Sequence, residues 1–416
     1  MVIDASDRRF AQIVELRGHI IDSLMLPRIM DELMGLGVEY EIQTLEVGQR
    51  KTDTSYARIE IIAQTAALLE TAVAQARAHG AMSLDLRDAE YAEVLTDGVF
   101  PENFYSTTNL VTEIRVHGDW LKVRYPEMDC GVAFRDGSPE SVAMSDTVVG
   151  DRILIAGEGI RVLPLERNRQ AMPIFGFMGS TVSSEKPKTS SIRQIVSWIQ
   201  AARRDGLAVL VVAGPAVVHT GAREHFVELI RNGHIDHVFA GNALATHDIE
   251  LAFYGTSLGV PIDGSTPLES GHEHHLRAIN RIRSCGGIKA AVESGLLTNG
   301  IMHACIETNT DFVLAGSIRD DGPLPEVITD VLEAQRAMRT RIRGGVGVAI
   351  MLSSMLHSIA VGNILPASVA TVCVDINPSV LTKLMDRGSF QTVGLVMDVG
   401  GFLRDLVDAL READKA

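Results

Sequence analysis

The sequence predicts an α/β protein in three parts, and three observations carry that prediction. Short aliphatic runs alternate with helical segments through the C-terminal half. Glycine reaches 37 residues while aromatics make up only 5%, the balance of a turn-rich fold whose strands are built from Val, Ile and Ala. With 416 residues and 46% hydrophobic content, the chain is long enough to bury more than one core.

The first part spans residues 1–85. FAQIVELRGHI (10–20) reads as a strand, LPRIMDELMGLG (26–37) sets apolar residues at helical spacing and ends on Gly, and EYEIQTLEVG (39–48) alternates with period two. SYARIEIIA (55–63) is another alternating strand, and TAALLETAVAQARAHG (65–80) is an amphipathic helix closed by Gly80. The order βαββα, with room for a final strand, predicts a ferredoxin-like α+β module.

Residues 86–170 change texture. Short β-rich runs such as EIRVHGDWLKVRY (113–125) and DRILIAGEGIRVLPL (151–165) are punctuated by Gly-Asp and Pro, which predicts a small β-rich domain, barrel or sandwich. FPENFYSTTN (100–109) and PEMDCG (126–131) are polar and irregular. They are expected as loops, either reaching another domain or only turning the chain.

From about 175 to 416 the pattern is serial. LAVLVVAG (207–214), HVFAG (237–241), DFVLAGS (311–317), VGVAIMLSS (346–354), TVCVDI (371–376) and TVGLVMDVG (392–400) alternate with helical segments including SSIRQIVSWIQAARRDG and VITDVLEAQRAMR. Such continuous apolar runs predict a parallel sheet buried on both faces.

Charge and cysteine usage exclude several partners. The formal net charge of -15, from 53 acids and 38 bases, repels phosphate backbones and anionic membranes. Nucleic acid and membrane are therefore not expected as partners. The N-terminus is polar where a signal peptide would be apolar, and the longest apolar runs are shorter than a bilayer span. Cys130, Cys285, Cys305 and Cys373 form no CxxC pair, so reduced thiols and a cytoplasmic location are expected.

In an open parallel sheet, ligands bind beyond the carboxyl ends of the strands. Here those ends read Gly-Asn-Ala-Leu-Ala-Thr-His-Asp (241–248), Gly-Ser-Ile-Arg-Asp-Asp-Gly (316–322), Leu-Ser-Ser-Met-Leu (352–356), Val-Asp-Ile-Asn (374–377) and Met-Asp-Val-Gly (397–400). Small residues there let a ligand approach the backbone, and carboxylates accept from ribose hydroxyls. Asp375 suits a ribose acceptor or, equally, a helix cap. No G-x-G-x-x-G and no G-x-x-x-x-G-K-[ST] is present, so a dinucleotide would have to bind by another arrangement.

GHEHHLRAINRIR (271–283) concentrates His272, His274, His275, Arg277, Arg281 and Arg283. Adjacent His274 and His275 are poorly placed to ligate one metal from one helix face, so no metal is expected. The stretch suits imidazole acid–base work with Arg277 as an anion clamp, or a solvated helix start. SSEKPK (183–188) offers Lys186 and Lys188 to a substrate carboxylate or to solvent.

With these residues in view, the chain resembles the family of the LOR/SDH bifunctional enzyme conserved region, whose characterised archaeal members are NAD-dependent ornithine cyclodeaminases. The resemblance covers essentially the whole chain, through EMDCGVAF, FGFMGSTVSSEKPK, VVAGPAVVHTGA, FAGNALATHDIE, GHEHHLRAINRIR, LAGSIRDDGPLPEVITDVLEAQRAMR and LHSIAVGNILPA. Cyanobacterial relatives carry the same unit behind an arginine-dihydrolase domain, an activity not expected in this chain. The third part is also similar to the Rossmann-like NAD-binding fold of deoxyhypusine synthase. That likeness implies a cofactor wall of Asn242, Ala243, Asp321, Ser353, Ser354, Met355, Leu356, Asp375, Asp398 and Val399.

The resemblance implies conversion of L-ornithine to L-proline and ammonia, with NAD taking and returning a hydride, and so a place in arginine and proline metabolism. A cation must hold the α-carboxylate, an acid the distal amine, and a base must take the α-ammonium proton. Lys186 or Arg277 is expected for the carboxylate, Asp248 or Glu127 for an amine, and His275 or His247 for proton transfer. A small diamino acid is the expected partner, with lysine or another diamino acid as the alternative substrate, and a homo-oligomer is implied. A reading of another class is a non-catalytic NAD or amino-acid sensor.

Overall fold

Strands and helices fall where the hydrophobic periods put them. The structure, a computed structural model, describes residues 9–18, 20–21, 25–48, 53–83, 87–163, 188–258, 260–261, 273–320, 322–385 and 392–415. It divides into two compact units, Met1–Gly176 and Phe177–Ala416. The first unit therefore holds both of the first two expected parts.

The first unit opens with β1 (Phe10–Gly18), α1 (Met25–Gly35), β2 (Glu39–Glu46), β3 (Ser55–Ala63), α2 (Ala66–Ala78) and β4 (Met82–Ser83). Its antiparallel sheet runs β2-β3-β1-β4, the arrangement expected of a ferredoxin-like module, final strand included. In β3 the residues Ser55, Ala57, Ile59, Ile61 and Ala63 are buried while their neighbours are less so, because side chains alternate across a sheet. The buried face packs on Ile29 and Leu33 of α1 and on Ala72, Val73 and Ala76 of α2. Truncating a fully buried residue such as Ile59 to Ala would cost about 2–5 kcal/mol. Thr65 starts α2 by accepting from the Leu68 amide at 3.2 Å.

The β-rich part contains β5 (Tyr91–Glu93), β6 (Val111–Val116), β7 (Asp119–Lys122), β8 (Gly131–Arg135), β9 (Ser138–Val142), β10 (Arg152–Leu154) and β11 (Ile160–Leu163). They form one sheet in the order β5-β10-β8-β9 and another in the order β11-β6-β7. The irregular stretches 100–109 and 126–131 meet each other here. The Thr107 hydroxyl donates to the Glu127 carbonyl at 2.6 Å and accepts from the Cys130 amide at 3.0 Å. Gly131 lies under the Phe100 ring, which a Cβ would approach to 2.8 Å, so a side chain there would push the ring aside.

The second unit begins with α3 (Lys188–Arg204), β12 (Ala208–Ala213), α4 (Ala216–His219), α5 (Arg223–Arg231), β13 (His237–Gly241) and α6 (Asn242–Tyr254). It continues with β14 (Thr256–Ser257), β15 (Val260–Pro261), α7 (His274–Ser284), α8 (Ile288–Glu293), α9 (Ile301–Thr308), β16 (Asp311–Ala315) and β17 (Val327–Ile328). Then come α10 (Val331–Arg343), β18 (Val346–Leu352), α11 (Met355–Ile364), β19 (Ala370–Asp375), α12 (Pro378–Met385), β20 (Thr392–Val396) and α13 (Val399–Ala413).

The main sheet is parallel, in the order β17-β16-β13-β12-β18-β19-β20. Val209 and Val211 pack into one apolar layer with α3, α5 and α13, and Leu210 and Val212 into a second with α10 and α11. Two covered faces are why the strands read as unbroken apolar runs. Two expectations shift, one helical and one for a strand. VITDVLEAQRAMR divides into β17 and α10 because Asp330 caps the helix, accepting from the Leu332 and Glu333 amides. TVGLVMDVG likewise divides into β20 and α13, with Asp398 as the cap.

Candidate active site

From β12 the chain steps outward through β13, β16 and β17, then returns beside β12 to lay down β18, β19 and β20. That reversal places a crevice at the carboxyl ends of β12 and β18, where open parallel sheets take their ligands. Gly214 follows β12 and Ser353 follows β18. A Cβ at Gly214 would lie 2.0 Å from the Ser353 carbonyl oxygen, so only glycine lets the two turns approach. Ser353 itself has φ +46°, a left-handed conformation uncommon for a residue with a side chain.

The remaining strand ends fill in this edge. Asn242 is buried at the start of α6, and its side-chain oxygen accepts from the Thr246 hydroxyl at 3.2 Å and the Leu324 amide at 3.1 Å. Ala243 follows it in the first turn. Ser354 precedes α11, and its hydroxyl meets His357 Nδ1 at 3.2 Å. Met355 and Leu356 are exposed. Asp375 holds the Asn377 amide at 2.8 Å, and Asp398 holds the Gly401 amide at 2.8 Å. Val399 is buried behind it. Asp321 and Lys186 lie outside the described residues.

A polar centre is built on α6 and the elements around it. β13 passes through Gly241 directly into that helix, and His247 sits five residues along from Asn242, about 7.5 Å down its axis. Its ring contacts His219 of α4 edge-on, with centroids 4.9 Å apart, and lies 6.4 Å from His275 at the start of α7. His247 Nδ1 is 2.9 Å from Oε2 of Glu250, one helical turn on. Glu250 Oε1 accepts from the Thr256 hydroxyl at 2.9 Å, and that hydroxyl is 2.8 Å from His274 Nδ1. His219 Nδ1 meets the Ser257 hydroxyl at 2.6 Å. Tyr254 stacks on the His274 ring at 4.6 Å.

Burial sets the charge of two more imidazoles. It pushes His219 below its ordinary value, with His247 adding to the shift and Glu250 opposing it. Burial does the same to His357, whose ring lies 3.0 Å from where a Cβ on Gly241 would be. Neutral imidazoles donate from one nitrogen and accept at the other.

Asp248 is placed differently from the expectation that it holds a substrate amine. It is fully buried and its two oxygens are occupied. Arg223 Nε donates to it at 2.7 Å, and the Ile301 and Met302 amides, opening α9, donate at 2.9 and 2.8 Å. A carboxylate so enclosed joins α5, α6 and α9. Arg277, expected as an anion clamp, is exposed and its guanidinium is held by Glu273 one turn earlier, at 2.9 and 2.5 Å. Glu127 lies buried in the first unit. His219, Glu250, Thr256 and His357 were not singled out by sequence reasoning. The Glu three residues after His247 was a usable signal, since i and i+3 share a helix face.

Among the described residues no group of three or more His, Cys, Asp or Glu side chains is arranged to hold a metal. No described helix is long and apolar enough to cross a membrane.

Comparison with known proteins covers residues 11–406 of the chain. The family described as arginine dihydrolase ArgZ-like, C-terminal, Rossmann fold matches residues 193–406. The LOR/SDH bifunctional enzyme conserved region matches 11–110, and the first region of the ArgZ-like C-terminal part matches 111–192. An ornithine cyclodeaminase of Methanothermobacter thermautotrophicus is 49% identical over 96% of this chain and 97% of its own length. A LOR/SDH protein structure from Methanococcus maripaludis superposes with a TM-score of 0.74 at 46% identity, covering 79% of this chain and 100% of that one. AgrE, a bifunctional arginine dihydrolase/ornithine cyclodeaminase in Nostoc, has a structure in ternary complex with ornithine and NAD+. It superposes with a TM-score of 0.53 at 38% identity, over 98% of this chain and 58% of that one.

Proposed function

Because the chain belongs to the family of the archaeal ornithine cyclodeaminases, built on the LOR/SDH conserved region, we propose that it converts L-ornithine to L-proline and ammonia with NAD as a recycled cofactor. The observation that carries this reading is the match over nearly the full length of both chains, 49% identical. The strand-order reversal at β12 and β18 is the place where an open parallel sheet takes a dinucleotide.

The residues present fit a dinucleotide. Asp375 and Asp398 each engage one backbone amide through one oxygen, which leaves lone pairs for ribose hydroxyls. NAD, when bound, supplies a hydride acceptor that returns what it takes, so the net change is internal to the substrate. The chain's own residues then have to move a proton and hold the substrate in a ring-closing pose.

His247 is the proton acceptor in this reading. Its Nδ1 is turned to Glu250, leaving Nε2 to take a proton from the α-ammonium group and return it to the departing ammonia. His275, in the same cluster, is the next candidate. For the α-carboxylate, Arg277 is already paired with Glu273, so Lys186 is the cation to test first. Lys186→Met should raise KM for ornithine more than it lowers kcat.

The deciding assay incubates purified protein with catalytic NAD and ornithine, then measures ammonia and proline together. Equimolar products with no net NADH support the reading; no proline despite bound NAD would reject it. A cytoplasmic location and a homo-oligomer belong to the same proposal, and a monomer by light scattering would remove the second.

A further inference from the structure

Two histidines converge on one buried carboxylate. Glu250 is fully buried on α6, with His247 at its Oε2 and Thr256, backed by His274, at its Oε1. With Glu250 ionised, proton counting along this chain fixes how each ring is protonated. An ionised carboxylate only accepts, so His247 must present Nδ1–H to Oε2. The Thr256 hydroxyl has a single proton and gives it to Oε1. The same hydroxyl can then only accept from His274, whose Nδ1 must also carry hydrogen. Both neutral rings are left with Nε2 bare.

From this geometry we propose that Glu250 is a positioning residue that fixes His247 as the Nδ1–H tautomer, with Thr256 and His274 setting how much negative charge Glu250 presents to it. The proposal rests on the ornithine cyclodeaminase reading for its kinetic consequences and on the hydrogen-bond geometry alone for the tautomers. When His247 Nε2 takes the α-ammonium proton, the ring becomes an imidazolium facing the carboxylate in a site sheltered from water. There the ion pair is worth more than at the surface. When ammonia departs, the same proton returns to it and the ring is neutral again, so no proton is gained or lost over the cycle.

Among the described residues, the groups around His247 are Glu250 from its own helix, His219 from α4 and His275 from α7, with Ser257 of β14 behind His219 and Thr256 of β14 and His274 of α7 behind Glu250. Glu250 is the one carboxylate among these. Removing its charge leaves the imidazolium with no carboxylate among these described groups. Removing the Thr256 hydroxyl has the opposite sense, because the carboxylate then spends less of its charge on a neighbour.

The test measures kcat/KM for ornithine against pH in the full-length protein with NAD, for wild type, Glu250→Gln and Thr256→Val. Glu250→Gln should lower kcat by on the order of 10–100-fold and move the acidic limb to lower pH. Thr256→Val should move that limb to higher pH. A structural role alone would lower thermal stability and leave both limbs in place. Limbs unmoved in folded variants that still bind NAD would overturn the proposal, and if Glu250→Gln does not fold, Thr256→Val decides alone. Nitrogen-15 imidazole spectra, with His247→Gln and His274→Gln for assignment, read the tautomers without any turnover. Nδ1–H on both rings supports the proposal, and Nε2–H on His247 overturns it. A wild type that makes no proline but shows both Nδ1–H tautomers would reject only the ornithine reading.

Discussion

Two carboxylates on α6, two residues apart, are both fully buried and have opposite surroundings. Asp248 faces α5 and α9, where Arg223 and two backbone amides saturate it. Glu250 meets His247 one turn back on α6 and, towards β14 and α7, the Thr256 hydroxyl that leads to His274. Burial and charge do not separate a structural carboxylate from one placed for chemistry. The partners do: amides and a guanidinium never change protonation, whereas imidazoles titrate near neutrality.

The largest expected effect breaks the structural side of this comparison. Asp248→Ala should destabilise the protein by about 3–5 kcal/mol, because it strands a buried guanidinium and frees the start of α9. Urea denaturation reads that loss, and a variant as stable as wild type would mean Asp248 does not hold α5, α6 and α9 together. On the other side, His247→Gln should cut kcat by about 10²–10⁴-fold while the thermal midpoint barely moves. A drop confined to stability would make the two faces equivalent.

A smaller effect follows from acidification. Burial holds His219 and His357 below their ordinary value, so the unfolded chain binds more protons as pH falls below about 6.5. Their contribution is fully present above that pH and is lost on going down, and the thermal midpoint should fall between pH 7 and 5. His357→Gln should flatten that dependence, and an unchanged slope would remove His357 as a contributor. The smallest change is Arg277→Ala, which removes an exposed pair on one helix face. It should shift stability by no more than about 0.5 kcal/mol and leave turnover within about 2-fold, and a tenfold rise in KM would restore Arg277 as a carboxylate anchor.

Legibility in the sequence followed how local the information was. The period-two alternation of SYARIEIIA and the helical spacing of TAALLETAVAQARAHG are set within a few residues, and β3 and α2 stand where those patterns put them. The apolar strand runs likewise forecast the parallel sheet, since both of its faces are covered. The cap at Asp330 was hidden inside an apparent helix, because a strand and a helix N-terminus can share aliphatic residues. At the site, the strand-end residues were visible as positions but their partners were not. Asp248 stood out by chemical type, yet that it would meet a guanidinium depended on α5 and α9, and the groups behind Glu250 came from α7 and β14, all brought in from distant parts of the chain. Glu250 carried the plainest missed signal, a carboxylate one turn from a histidine.

The contact between Gly214 and Ser353 also bears on how the molecule comes into being. The strands leading to it, 208–213 and 346–352, are separated by all of the chain that forms β13, β16 and β17. Their pairing closes one of the long loops of the fold, and closure entropy makes such pairings slow to nucleate. The crevice is therefore expected to be among the last features to assemble during refolding, after the local strand–helix units on either side have formed. A left-handed serine and a bare glycine at the seam mark where two independently started halves of a sheet must be zipped together.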